Sequence, residues 1–247
     1  MLFAHCTRAR TYTPTRAVYV SDPAALLGSA DQLAGELAAR RIAVVIPYRL
    51  GPLFGDARLA PWIDALHARG IRVLAPVASK SRLDELVHFV GDHPSTWFDG
   101  LVTEYEFWNH RADRAAAFGE LLALLGAMRT TEPAWSRGHT AQIGTYLGYP
   151  TAGEARQLAA AIDFAFLDYP VPGAGGAFDH VGRVAYAERW AQFAHVAEWP
   201  IFYATGEVDM RADLAREGLD GAEAHFLGDA KPLPAGFVYF TWEALPR

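Results

Sequence analysis

Eight short apolar runs alternate with longer stretches of helical periodicity along this chain of 247 residues. That alternation limits the fold more than any other feature. The runs are Arg16–Asp22, Ile42–Leu50, Ile71–Ser79, Asp99–Trp108, Thr140–Tyr149, Asp163–Val171, Pro200–Val208 and Gly236–Glu243. Between them, apolar residues recur at three- and four-residue spacing. This predicts helices over Ala30–Arg41, Ala57–Arg69, Ser81–Val90, about Ala112–Arg129, Thr151–Ile162, Val181–Trp199 and about Ala212–Leu219. Ser81 is expected to cap its helix, and Thr151 with Glu154 reads as a capping box. The runs are nearly continuous in apolar residues, as parallel strands covered by helices on the outside must be.

An open doubly wound sheet and a closed barrel both fit this order. Eight units in this length favour the barrel, and no Gly-x-Gly-x-x-Gly follows the first strand to mark a dinucleotide site. The expected fold is therefore α/β, a single-domain (β/α)8 TIM barrel over residues 1–247. The sequence ends just after its eighth strand, so the last helix is expected to be missing or atypical. The Pro170–Gly176 stretch is expected to be a strand-to-helix loop and not a domain boundary.

Composition narrows the partners. Lys and Arg number 22 against 28 Asp and Glu, a formal charge of −6, and no basic cluster occurs. Nucleic acid and anionic membrane both need a concentrated positive face, so neither is expected. Hydrophobic residues make up 51 %, but no run approaches the roughly 20 residues of a membrane span. No secretory leader is legible, which points to the cytoplasm for the sequence as it stands, or to secretion if a leader has been removed. Cys6 is the lone cysteine and cannot form an internal disulfide. The nine His are scattered without ligand spacing, so no metal is expected, and no cofactor either. Lys80 is an isolated candidate for a Schiff base.

In a barrel of this kind the chemistry sits at the carboxyl ends of the strands. Those ends carry Asp22; Tyr48 and Arg49; Ser79 and Lys80; Glu104 to Trp108 with Asn109 and His110 beyond; Tyr146 and Tyr149; Asp168 and Tyr169; Glu207 and Asp209; and Trp242 and Glu243. Carboxylates and large aromatics dominate. Side chains alternate along a strand, so Glu104 and Glu106 share one side. Two acids in one low-dielectric site push one pKa upward, which is what a general acid needs near neutrality, and Glu106 is the one expected to be raised. The competing reading is structural: either Glu pairs with Arg49 or caps a loop. Flat rings beside carboxylates fit carbohydrate, whose C–H faces stack on rings while its hydroxyls bond to acids. A carbohydrate or glycoconjugate is thus the expected partner. Tyr48, Trp108, Asn109, Tyr146, Trp242 and Glu243 are candidate substrate-binding residues.

The run Asp99-Gly100-Leu101-Val102-Thr103-Glu104-Tyr105-Glu106 resembles the fourth-strand signature of chitinase-type (family 18) glycoside hydrolases, Asp-Gly-x-Asp-x-Asp-x-Glu. Asp99 and Gly100 match its start, and Glu106 falls on the family's acid. Val102 replaces the first inner Asp, and Glu104 replaces the second. The third-strand Ser-x-Gly-Gly pattern is absent. The resemblance implies a retaining, substrate-assisted hydrolysis of (N-acetyl)hexosaminide-type bonds. In it Glu106 protonates the glycosidic oxygen and Glu104 orients the N-acetyl group. Asp168 and Tyr169 steady that group, and Trp242 floors the subsite. Two alternatives stand beside it. Glu207 could be the nucleophile of a retaining glycosidase with Glu106 or Glu104 as acid. Or the barrel could be catalytically inactive and bind a glycan or protein, which Val102 favours.

Overall fold

The computed structural model describes residues 14–110, 112–167, 193, 196–205, 210–228 and 233–246. Its eight strands close on themselves in sequence order. They are β1 (Thr15–Val20), β2 (Ile42–Pro47), β3 (Arg72–Pro76), β4 (Gly100–Thr103), β5 (Gln142–Leu147), β6 (Phe164–Leu167), β7 (Ala197–Tyr203) and β8 (Gly236–Phe240). Every neighbouring pair is parallel, and β1 pairs with β8 to complete the ring. This is the single-domain (β/α)8 barrel expected from the alternation.

Alternate residues on each strand divide two packing layers. Ala17, Val44, Leu74, Val102, Phe166 and Val238 face one another inside the ring. Val18, Val45, Val73, Leu101, Ala165 and Phe237 face outward, under the helices. The inner layer is filled by rings: Phe166 meets Phe164 at 4.9 Å and Trp199 at 6.1 Å between centroids. Such a ring gains about 1.5–3 kcal/mol on full burial, so the barrel centre is a packed core and no channel. Gly144 makes room for it, since a Cβ there would lie 2.2 Å from the Phe164 ring.

Among the described residues the expected helices form with local shifts; most of the helix expected over Val181–Trp199, and the Pro170–Gly176 loop, lie outside them. The capping box at Thr151 forms as expected: Thr151 Oγ1 accepts from Glu154 N at 3.3 Å, and Glu154 Oε2 accepts from Thr151 N at 2.6 Å. Helix Lys80–Asp92 is capped two residues earlier than expected, by Ser79, whose Oγ accepts from Arg82 N at 3.3 Å. Ser81 instead is the second residue of the helix, and its hydroxyl meets that of Ser79. The strands are shorter than the apolar runs, because side chains past the ladder's end remain apolar where they fold over the barrel. β7 starts at Ala197, so residues 197–199, expected in a helix, belong to a strand that runs through Pro200. A proline removes only one ladder donor, and it reads as a boundary only from sequence. Helix Arg211–Leu227 passes a break at Gly218, where φ is 67°, and continues beyond the expected end. A single 3-10 turn, Trp242–Ala244, follows β8.

Toward the amino-terminal end of the barrel, a buried ion-pair cluster ties the outer face of β1 and β8 to helix Arg211–Leu227. Arg16 donates from Nε to Glu223 at 2.6 Å and from Nη2 at 2.8 Å, and Tyr239 donates its hydroxyl to the same carboxylate at 2.5 Å. Asp220 and the Arg40 carbonyl take two more guanidinium donors.

Candidate active site

β4 ends at Thr103, and the chain continues extended through Glu104 and Tyr105 into a 3-10 turn over Phe107–Asn109. The strand's alternation carries past its last ladder bond. Val102, Glu104 and Glu106 therefore follow one another up the inner side, while Tyr105 points out and donates its hydroxyl to Glu120. Both acids line a cavity of about 190 Å³ at the carboxyl end of the barrel. Tyr19, Tyr48, Tyr146, Tyr203, Ile201 and Phe240 complete it. The sequence-expected Glu104, Glu106, Tyr48 and Tyr146 are thus brought together.

Glu104 sits deeper. Burial raises its pKa above the ordinary carboxyl value; the Tyr19 hydroxyl acts against this, the Glu106 charge adds to it, and the Tyr48 hydroxyl again opposes it. The upward push expected at Glu106 acts instead on Glu104, the more deeply buried acid of the pair. Glu106 lies nearer the mouth and accepts a hydrogen bond from the exposed Asn109 amide. Asn109 is accordingly a positioning group for Glu106. Tyr19 is 1 % exposed, and its hydroxyl meets no partner of normal hydrogen-bond geometry among the described residues. Burial first, then the Glu104 charge, drives its pKa well above the ordinary phenol value. Tyr48 is raised by the Glu104 charge, then by burial, with Arg49 opposing. The cavity is therefore acidic, with phenols presenting neutral O–H groups. Edge-on ring contacts hold it: Tyr19 meets Phe240 at 5.3 Å and Tyr48 at 6.3 Å.

Three expected binding residues lie elsewhere. Trp108 is 8 % exposed and belongs to the outer layer, wedged against Phe107 at 5.3 Å and the back of Tyr146 at 5.6 Å. Trp242 is buried outside the barrel wall, with the Arg40 guanidinium 5.3 Å from its ring centre, so it does not floor the cavity. Glu243 accepts from Ser21 Oγ at 2.8 Å and Asp22 N at 3.0 Å, stapling the end of β8 to that of β1. Burial works to raise its pKa, but those backbone and hydroxyl donors hold it below the ordinary value. For Trp108 and Trp242 the cause is shared: the 3-10 turns after β4 and β8 break the strand alternation that would have pointed them inward. Asp168, Tyr169 and Glu207 lie outside the described residues.

Tyr19, Tyr203 and Phe240 went unnoticed in the sequence. Tyr19 lies one layer below the end of β1. Tyr203 is the last residue of β7, which stops before Glu207. Their signal is in the sequence: Ala17-x-Tyr19 and Ile201-x-Tyr203 follow the same two-residue period as Glu104-x-Glu106.

The Asp-Gly that opens the β4 motif has a structural basis. Asp99 Oδ2 accepts from Val73 N at 2.7 Å and faces His67 Nε2 at 2.8 Å, at the barrel's amino-terminal end. A Cβ on Gly100 would lie 2.5 Å from the Gln142 carbonyl oxygen on β5. Val102 is fully buried in the apolar inner layer, so no carboxylate relay runs beneath Glu104. Among the described residues, no group of three or more His, Cys, Asp or Glu is placed to hold a metal ion, and no helix is long and apolar enough to cross a membrane.

No protein-family model matches the chain, and no curated protein matches by sequence. Solved structures do match in fold. A chitinase from Bacteroides thetaiotaomicron aligns over 94 % of this chain and 91 % of its own, with TM-score 0.54 at 8 % identity. A xylanase-A-amylase inhibitor protein, XAIP-III, aligns over 93 % of both chains, with TM-score 0.54 at 14 % identity. A Bacteroides uniformis beta-glucuronidase aligns over 93 % of this chain and 30 % of its own, with TM-score 0.60 at 12 % identity. The distant resemblance to chitinase-type hydrolases read from β4 thus extends to the whole barrel. At these identities the shared property is the fold.

Proposed function

We propose that the chain is a glycoside hydrolase-like enzyme acting on (N-acetyl)hexosaminide-type bonds by a retaining, substrate-assisted mechanism. The observation that carries this reading is the pairing of Glu104 and Glu106 inside one phenol-lined cavity at the carboxyl end of the barrel. Glu106, at the mouth and oriented by Asn109, gives its proton to the glycosidic oxygen as the bond to the anomeric carbon breaks. The substrate's own acetamido oxygen attacks that carbon. Glu104 accepts from the acetamido N–H and stabilises the charge that develops on the ring so formed. Glu106, now a carboxylate, takes a proton from the water that opens the ring. The Tyr19 hydroxyl, buried beside Glu104, is a further donor at the floor of the cavity. Fold kinship to a chitinase and a beta-glucuronidase supports a sugar-cleaving role.

A second reading is favoured by one observation: Val102 leaves Glu104 without an acidic neighbour below it. On that reading the barrel binds a glycan and turns nothing over. Glu106→Gln separates the two. In an enzyme it abolishes release of chromophore from aryl N-acetylhexosaminides while sugar binding persists. In a binding protein wild type and variant bind alike and neither releases chromophore.

A further inference from the structure

A second cavity of about 300 Å³ adjoins the acid pair and shares Tyr48 and Glu104 with it. Its other walls come from the loop after β2 and the turn that leads from β3 into helix Lys80–Asp92. The residues that set its character are Arg49, Gly51 and Arg82. The first cavity is lined by two carboxyl groups, and the second adds two guanidinium groups.

Arg49 is exposed and makes no ion pair or hydrogen bond among the described residues; its guanidinium lies 5.7 Å from the Tyr48 ring centre. Its φ of 57° is a left-handed conformation that residues other than glycine seldom adopt, and the chain turns there from β2 into the cavity loop. Arg82 gives one donor to Glu85 and keeps others. A Cβ on residue 51 would lie 2.7 Å from Arg82 Nη1, so Gly51 leaves the guanidinium its place in the wall. The 13-residue helix Lys80–Asp92 begins at the same wall and adds its positive end. Planar guanidiniums favour oxyanions that take two hydrogen bonds at once, whereas a neutral hydroxyl gains little from them.

We propose that this second cavity is a subsite for an anionic substituent, a uronate carboxylate or a sulfate ester, on the sugar unit next to the one held by Glu104 and Glu106. The substrate class is then an acidic glycan. This rests on the glycan reading of the acid pair.

The test is calorimetric titration of the full chain with three disaccharides: an uncharged N-acetylhexosamine pair, its 6-O-sulfated form, and a hexuronate–N-acetylhexosamine. At least one anionic sugar is expected to bind about tenfold or more tighter than the uncharged one, the size of a charge-assisted hydrogen bond. Which one does so identifies the anion. Arg49→Gln and Arg82→Gln should each remove most of that gain, leave the uncharged sugar's affinity unchanged and keep the wild-type melting temperature. Equal binding of all three sugars, or a gain that survives both substitutions, overturns the anionic subsite and leaves the glycan reading standing. Binding of none of them by folded protein overturns both.

Discussion

Replacing Glu223 by Gln should destabilise the barrel more than any other single isosteric change at its amino-terminal end. The carboxylate takes two hydrogen bonds from Arg16, at 2.6 and 2.8 Å, and one from Tyr239, at 2.5 Å. The Arg16 and Glu223 side chains are each 5 % exposed, so water cannot replace what is lost. Breaking a buried pair by removing one charge costs about 3–5 kcal/mol. Gln keeps one acceptor, and Arg16 keeps Asp220 and the Arg40 carbonyl, which places the expected loss at the lower end, about 3 kcal/mol. For a chain of this size that lowers the melting temperature by about 6–12 °C. Thermal unfolding followed by circular dichroism measures it. The paired change Arg16→Met with Glu223→Leu should recover most of the loss, because an apolar pair leaves no buried charge unmatched. A Glu223→Gln protein that melts within 2 °C of wild type would refute the reasoning.

Tyr19→Phe removes the hydroxyl that faces Glu104 and should weaken sugar binding by about tenfold; titration checks it, with thermal melting as the control for folding. Glu154 is held near pKa 2 by the Arg114 guanidinium against the opposing effect of burial, with the Thr151 donors adding to the lowering. Its folded value lies below the ordinary 4.5, so its contribution is complete above about pH 4.5 and is lost as pH falls toward 2. Urea unfolding of Glu154→Gln should therefore show a shallower loss of stability across that window than wild type, and equal slopes would contradict the pairing. Thr151→Ala removes the cap of its helix and should cost about 1 kcal/mol in the same urea assay. Gly144→Ala forces a methyl against the Phe164 ring and should cost about 1–3 kcal/mol or more, visible as a lower urea midpoint.

The barrel was legible because its evidence is distributed: each strand-to-helix switch is weak, but eight in order leave few topologies. The Glu104 and Glu106 pair was legible because a strand's two-residue period is rigid. Trp108 and Trp242 were misplaced for the complementary reason. Each follows a point where the backbone leaves the extended conformation, and nothing in an apolar run announces where its ladder ends. The depth of the site was also hidden. Tyr19 and Tyr203 belong to the layer below the strand ends, where ring size, not charge, shapes the cavity. Arg49 and Arg82 come together from two loops whose sequences carry no shared motif.

The acid pair is tested most directly by turnover and binding measured together on Glu106→Gln, with an aryl N-acetylhexosaminide as substrate and the free disaccharide as ligand. Release of chromophore should fall by at least about a hundredfold, the contribution of a general acid, while the disaccharide's dissociation constant stays within about threefold of wild type. Turnover that survives the substitution would contradict the assignment of Glu106.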